Sequence, residues 1–426
     1  MLMLAIFVLM VALICLNVPI AVALAVSAIL GLVVLEGTGS LVNVALDMYG
    51  GATKFSLIAI PMFVLAGAIM NAGGITDRLI NFVAALIGFI RGGLAHVNIG
   101  VSLFFAEISG SAVADVAAMG SVMIPQMKKR GYSGAFSAAV TSSSASLAII
   151  IPPSIPMILY ATSANVSVEQ LFVAGVIPGL LGAAGLMGVS YYFARRYDLP
   201  REDAFSGRVL WRAFVDALPT FALPVIILGG IFGGYVTATE AAGLAVLAAI
   251  AISLYYRQVD FKHLQRSMLD GGMQTAVVML LVAASVVMGG FLTRAQYPQE
   301  LAAAILGITE NKWLILLILN FFFLVIGFFL HSAAAIILVV PIVIPLIDAA
   351  GINPIHFGLV VTLNLAIGQQ TPPVASVLIT ACAVARANIW DVTKVNVYFI
   401  AVLLAVLLMC TYIPAIPLFL VDYFYG

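Results

Sequence analysis

The sequence predicts an all-α polytopic membrane protein, folded as an inverted repeat with one re-entrant helical hairpin and one broken helix in each half. Three observations carry that reading. First, 64% of the 426 residues are hydrophobic and 8% charged, with a mean hydropathy of +1.19, whereas soluble domains carry roughly 25% charged residues. Second, helix-breaking landmarks recur at a fixed offset: Ile124-Pro125 returns as Ile344-Pro345, Gly131 as Gly351, and Pro152-Pro153 as Pro372-Pro373. Of the eight prolines with a partner position at that offset, three meet proline, where composition alone gives about 0.3. Third, basic residues gather in alternate loops, as a multi-pass topology requires.

Lys+Arg and Asp+Glu both number 18, so no basic field exists to attract nucleic acid. Cys15, Cys382 and Cys410 sit in apolar runs without metal spacing and read as small core residues. Leu2–Leu16 lacks a basic start and a small-residue cleavage site, so it reads as a first transmembrane helix and not as a removable signal peptide.

A spanning helix needs around 20 apolar residues. Candidate crossings are 1–35 (interrupted at Asn17-Val18-Pro19), 55–72, 134–164, 170–193, 215–235, 240–256, 271–291, 355–386 and 395–423. Regions 92–129 and 312–349 differ, each being two apolar segments joined by a knot, Ser109-Gly110-Ser111 and Leu330-His331-Ser332. Segments of about 16 residues in the first give roughly 24 Å of helix, short of a ~30 Å hydrocarbon core, while those of about 18 residues in the second are borderline. Both regions therefore read as re-entrant hairpins, with four short spanning helices as the competing reading. An amphipathic stretch precedes each, 76–90 and 296–309, suited to the membrane interface.

With the N-terminus inside, the cytoplasmic loops hold Arg78, Arg91, Lys128-Lys129-Arg130, Arg195-Arg196, Arg201, Arg208, Arg212, Arg257, Lys262, Arg266, Arg386 and Lys394. The outer loops hold only Lys54, Arg294 and Lys312. Five crossings separate equivalent points of the two halves, an odd number, so the repeat is inverted. The expected units are 1–193 (hairpin 92–129, broken helix 134–164), a linking loop and helix over 194–240, and 241–426 (hairpin 312–349, broken helix 355–386).

The chemistry concentrates at the hairpin tips and the Pro-Pro breaks. Unwound backbone survives in a bilayer only where it is buried or lines a cavity. A Pro-Pro step removes two amide donors and frees carbonyls; with nearby hydroxyls these make an oxygen-rich nest for a hard cation such as sodium, while helix N-termini beside them suit carboxylates. Half one supplies Ser109-Gly110-Ser111 and Thr141-Ser142-Ser143-Ser144-Ala145-Ser146; half two supplies Gly327 to Ser332 and Gly368-Gln369-Gln370-Thr371-Pro372-Pro373. The blander alternative is that these hydroxyls bond back to helix carbonyls and aid packing. Glu107, Asp115, His331 and Glu240 are ionisable groups at or near membrane depth and hence functional candidates. Asp115 could instead cap a helix, His331 could be a hydrogen-bonding core residue, and Glu240 reads as a structural first-turn residue.

At these residues the chain resembles the large membrane subunit of tripartite ATP-independent periplasmic (TRAP) transporters. The stretches that carry the resemblance are Ile60-Pro61-Met62-Phe63-Val64-Leu65-Ala66-Gly67, Asn71-Ala72-Gly73-Gly74, Ile108-Ser109-Gly110-Ser111-Ala112-Val113-Ala114-Asp115, Ile151-Pro152-Pro153-Ser154-Ile155-Pro156 and Thr371-Pro372-Pro373-Val374. The resemblance implies an elevator-type carrier of the ion-transporter superfamily. It implies one sodium site at Ser109, Gly110, Ser144 and Ser146, and a second at Gly327, Gly368 and Thr371. Substrate would lie between the tips, near Ser111, Asp115, Pro153, Ser154, His331, Ser332, Gln369, Gln370 and Pro373. It further implies sodium-driven uptake of an organic acid, a periplasmic substrate-binding protein, and a small four-helix membrane subunit on a separate chain. The location implied is a bacterial inner membrane, with the N-terminus cytoplasmic and the C-terminus periplasmic. Glu107, His331, Gln369-Gln370 and Ala238 depart from the family's pattern, so no particular acid is assigned. Competing functions are a stand-alone sodium–carboxylate symporter, a passive channel, and an intramembrane hydrolase pairing a serine at 109–111 with His331. The hydrolase lacks an orienting third group and leaves the repeat unexplained. Channels favour symmetric filter rings over a pair of hairpins.

Overall fold

The computed structural model describes residues 2–16, 18–201, 204–257, 261–372 and 374–426, apart from the side chains of Leu4, Cys15, Glu107, Ile108, Ser109, His263, Ser267 and Asp270. Its first half runs α1 Leu2–Cys15, α2 Ile20–Glu36, α3 Leu41–Ala52, α4 Ala59–Ala72, α5 Ile75–Ile87, α6 Gly93–Ser109, α7 Ala112–Lys129, α8 Gly134–Ala145, α9 Ile155–Ala164 and α10 Val168–Arg196. Then follow α11 Gly207–Phe232, α12 Ala238–Tyr256, α13 Phe261–Arg294, α14 Tyr297–Leu306, α15 Lys312–Phe329 and α16 Ser332–Ala349. The last are α17 Pro354–Gly368, α18 Ser376–Ala385, α19 Ile389–Tyr412 and α20 Ala415–Tyr425. No β-strand occurs among the described residues.

The offset seen in the prolines extends to whole helices. Hairpin one, α6 and α7, spans 93–129, and hairpin two, α15 and α16, spans 312–349. The arms α7 and α16 coincide residue for residue after the shift, and each contains its repeated proline, Pro125 or Pro345. Both hairpins end on a left-handed glycine, Gly131 (φ +87°) and Gly351 (φ +63°), a conformation that a Cβ would strain. The next helix in each half is then capped: Ser133 accepts from the Phe136 amide at 3.1 Å, and Asn353 from the Ile355 amide at 2.8 Å. Capping of this kind satisfies backbone donors that have no partner within the helix.

Three segments differ from the sequence expectation. The crossing expected over 395–423 divides into α19 and α20 at Ile413-Pro414, because proline has no amide to continue the ladder. Helix α13 begins ten residues before the expected 271, and α3 had no counterpart in the expected crossings. Both extra pieces are mixed in polarity, so an apolar window passes over them. Glu240 is structural as expected: Thr237 and Glu240 form a reciprocal capping box that opens α12.

Packing divides the helices into two bodies. In the first, α2 lies against α13 and α4 against α12, so each half contributes to both pairs. In the second, arm α7 of hairpin one packs on α18 beyond the second break, and arm α16 of hairpin two packs on α9 beyond the first. This exchange makes the repeat an interlocked unit. Helices α8 and α17 stand at its centre, with Phe136–Ala145 and Ile355–Gly368 buried throughout. A helix buried on every face is enclosed by protein, so its polar side chains must find partners within the molecule.

Candidate functional site at the two breaks

The helix that enters the first break tightens before it unwinds. After α8 the chain makes a 3-10 turn over Ser146–Ile149, loses helical form through Ile150–Ser154, and restarts at α9. Ser154 holds the restart: its hydroxyl donates to the Ile149 carbonyl at 2.7 Å and accepts from the Met157 amide at 3.4 Å. Ser154 therefore fixes both sides of the gap. Tip one lies against this gap. A Cβ at Gly110 would come within 3.0 Å of the Ile155 amide nitrogen and 3.1 Å of the Pro153 carbonyl oxygen, at a backbone φ of +57°. Only glycine combines that turn with that approach.

The serine run resolves into distinct roles. Ser142, Ser144 and Ser146 donate back to the carbonyls of Ala139, Thr141 and Ser142 at 3.1, 3.2 and 3.1 Å. Ser144 additionally accepts from Ser102 of hairpin one at 2.9 Å, and Asn98, a turn earlier, donates to Thr141 at 2.7 Å. Ser143 turns the other way. Its hydroxyl lies 2.8 Å from the Gln370 side-chain oxygen and 2.7 Å from that of Asn396, joining break one to break two across 227 residues of sequence. Ser143, Gln370 and Asn396 are all fully buried. Hydroxyls in this cluster bond to helix carbonyls and also reach between helices, which are the two parts of the packing reading of the serine run.

At break two, Thr371 donates to the Ile367 carbonyl at 3.0 Å, and the Gln369 amide donates to the Leu365 carbonyl at 3.3 Å. Asn396 reaches the Gln370 carbonyl at 3.4 Å. Hairpin two presses on this segment more closely than hairpin one presses on its own: a Cβ at Gly368 would lie 2.6 Å from the Gly327 backbone, and one at Gly327 would lie 3.0 Å from the Gly368 Cα. Ser111 and His331 are the extended residues just before α7 and α16. Ser111, and not Asp115, thus occupies the cap position; Asp115 lies in the first turn with 1% exposure. Ser332 is buried and His331 exposed. The side chains of Glu107 and Ser109, and all of Pro373, lie outside the described residues.

The structure thus brings Gly110 to Pro153, Gly327 to Gly368, and Ser143 to Gln370. It also shows partners that the sequence reading missed: Asn98, Ser102, Asn396, and the buried pair Asn320–Asn364 at 2.7 Å. Asn364 was findable, because it is the shifted equivalent of Ser144. A cavity of about 340 Å³ lies elsewhere, between the two bodies, with Asp47, Lys54 and Arg294 on one side and Thr162, Ser163 and Ile337 on the other. None of the proposed site residues lines it.

The profile of the family described as "Tripartite ATP-independent periplasmic transporter, DctM component" matches residues 7–416. The chain belongs to this family. Among similar proteins, the sialic acid TRAP transporter large permease protein SiaM of Vibrio cholerae is 35% identical over 410 residues, covering 96% of each chain. The C4-dicarboxylate TRAP transporter large permease protein DctM of Pseudomonas aeruginosa is 37% identical over 392 residues, 92% of each. The isethionate TRAP transporter permease protein DctMQ of Oleidesulfovibrio alaskensis is 38% identical over 95% of this chain, which spans 64% of that protein. The YdaH transporter of Alcanivorax borkumensis shares the fold with a TM-score of 0.66 at 14% identity, over 89% of each chain. The chain is therefore a multi-pass TRAP-type permease and not a hydrolase, and its relatives' names attach several different acids to one scaffold.

Proposed function

We propose that this permease drives uptake of an organic acid (a C4-dicarboxylate, sialic acid or a related sugar acid) on a sodium gradient, by elevator-type alternating access. A periplasmic binding protein delivers the acid, and a small four-helix subunit on a separate chain braces the body formed by α2, α4, α12 and α13. The complex sits in the bacterial inner membrane, with the N-terminus in the cytoplasm and the C-terminus in the periplasm. The observation that carries the reading is the backbone contact of Gly327 with Gly368, one residue from Gln369 and three from Thr371. Gly368 is the last helical residue before the turn at 369–371, so the contact brings the backbone of hairpin two to the edge of the unwound segment, where carbonyls and the Thr371 hydroxyl would ligate a hard cation such as sodium. In the other half the hairpin meets its break at different positions, Gly110 against Pro153. Two sodium ions, one at Ser109, Gly110, Ser144 and Ser146 and one at Gly327, Gly368 and Thr371, would then order the tips around the acid. Ser111, Asp115, Pro153, Ser154, His331, Ser332, Gln369, Gln370 and Pro373 would face it.

The test is uptake by proteoliposomes holding the permease, its small subunit and its binding protein. Accumulation is expected only under an inward sodium gradient; uptake that persists after the gradient is collapsed overturns the coupling. Uptake without the binding protein would indicate a stand-alone symporter. Thr371→Ala should weaken the sodium dependence more than Ser190→Ala, whose hydroxyl lies buried in α10 away from both breaks.

A further inference from the structure

The start of α11 has features that the transport reading does not use. Arg208, Arg212 and Asp216 recur at every fourth residue and form one polar stripe, while Val209, Trp211, Val215 and Leu218 stay exposed at 48 to 66%. A helix segment whose narrow charged stripe is bordered by exposed apolar groups is suited to the boundary between headgroups and acyl chains. A cavity of about 390 Å³ opens here between α11 and the end of α12, lined by Trp211, Arg212, Asp216, Pro219, Tyr255 and Tyr256. Its floor is rigid: the Tyr256 hydroxyl donates to the Asp216 carbonyl at 2.6 Å, and the Arg78 guanidinium lies 3.6 Å over the Tyr256 ring. Arg78 also stands 3.5 Å from the Asp216 carboxylate, so the acid in the cavity is already matched. Arg212 has no hydrogen bond or ion pair among the described residues, and Arg208 and Arg257 flank it at the same end. Tyr255 (72% exposed) and Trp211 (66% exposed) form the rim, the residue types that collect at membrane interfaces.

We propose that this cavity binds the phosphate headgroup of an anionic phospholipid. Arg212 supplies the unmatched cation for the phosphate, while Trp211, Tyr255 and Pro219 take the first segments of the lipid's chains and glycerol. A zwitterionic lipid offers the same phosphate together with its own cation, which the neighbouring arginines oppose. The site rests on α11, α12 and Arg78 of α5, none of them at the breaks, so it stands or falls independently of the sodium sites.

The chain has three tryptophans, and a Trp313→Phe, Trp390→Phe variant leaves Trp211 as the reporter. The variant, reconstituted in phosphatidylcholine vesicles, would be exposed to equal fractions of phosphatidylglycerol or phosphatidylcholine with brominated chains. Brominated phosphatidylglycerol should quench Trp211 fluorescence about twofold more strongly, Arg212→Gln should remove that preference, and Arg212→Lys should keep part of it. Equal quenching by the two lipids overturns the proposal, as does a preference that survives in Arg212→Gln. Loss of the preference on adding inorganic phosphate would assign the site to a soluble phosphate and overturn the lipid. Loss of quenching by both lipids when the small subunit is added would make the face a protein contact, and would overturn the lipid equally. An unchanged thermal transition in Arg212→Gln confirms that the fold is intact.

Discussion

The two broken helices share their offset, their prolines and their burial, yet they are tied down differently. Beyond the first break, α9 ends with the Thr162 carbonyl accepting from Lys54 at 3.0 Å, and Ser56 lies 3.2 Å from the Thr162 hydroxyl. Lys54 belongs to the turn before α4, in the other body. Beyond the second break, α18 ends with the Ala385 carbonyl accepting from Lys128 at 3.1 Å, and Lys128 belongs to hairpin one, in the same body. Both lysines meet the negative end of a helix dipole. The physical interaction is the same, but one contact spans the junction between bodies and the other does not. Any motion of one body past the other must break the first contact and can leave the second intact.

The sharpest way to break the symmetry of the two sites is at their glycines. Gly368→Ala places a Cβ 2.6 Å from the Gly327 backbone, and overpacking of this kind costs about 1–3 kcal/mol. It should abolish uptake and lower the thermal midpoint; Gly110→Ala should do the same through backbone strain at φ +57° more than through its 3.0 Å contact. Full uptake in Gly110→Ala would mean that tip one can shift away from its break. Next in size is the link between the breaks. Gln370→Leu strands Ser143 and Asn396 in a buried site, at a cost of about 1–3 kcal/mol. A double-mutant cycle with Ser143→Ala should show coupling of about 0.5–3 kcal/mol, and simple additivity would show that the breaks are independent.

The lysines give smaller effects on stability, under about 1 kcal/mol for each exposed helix-end cation, and so test kinetics. Lys54→Met should change the uptake rate and Lys128→Met should leave it unchanged, each with little change in thermal midpoint; matching uptake rates would remove the distinction drawn between them. Ser190→Ala should be nearly silent in both assays.

Much of the fold is legible in the sequence. Prolines, glycines and caps act on their own neighbourhood, so Pro125, Gly131 and Pro152-Pro153 announce hairpin one and break one, and their echoes announce the second set. The apolar windows find most of the crossings but pass over α3 and the start of α13, where polarity is mixed. The site is less legible, because adjacent serines on a helix point about 100° apart. From sequence, Ser142, Ser143 and Ser144 are three similar hydroxyls. In the fold they face their own helix, the opposite break, and hairpin one.

The sequence by itself determined where the backbone must stop being helical and how often that happens, since both follow from local chemistry repeated at one spacing; the family followed from the likeness of particular stretches to known relatives. Only the tertiary structure decided that Ser143 meets Gln370, that Gly327 meets Gly368 without room for a methyl group, and that Lys54 but not Lys128 joins the two bodies. Those contacts depend on how helices are rotated against one another once their apolar faces are buried, and no residue encodes that rotation alone.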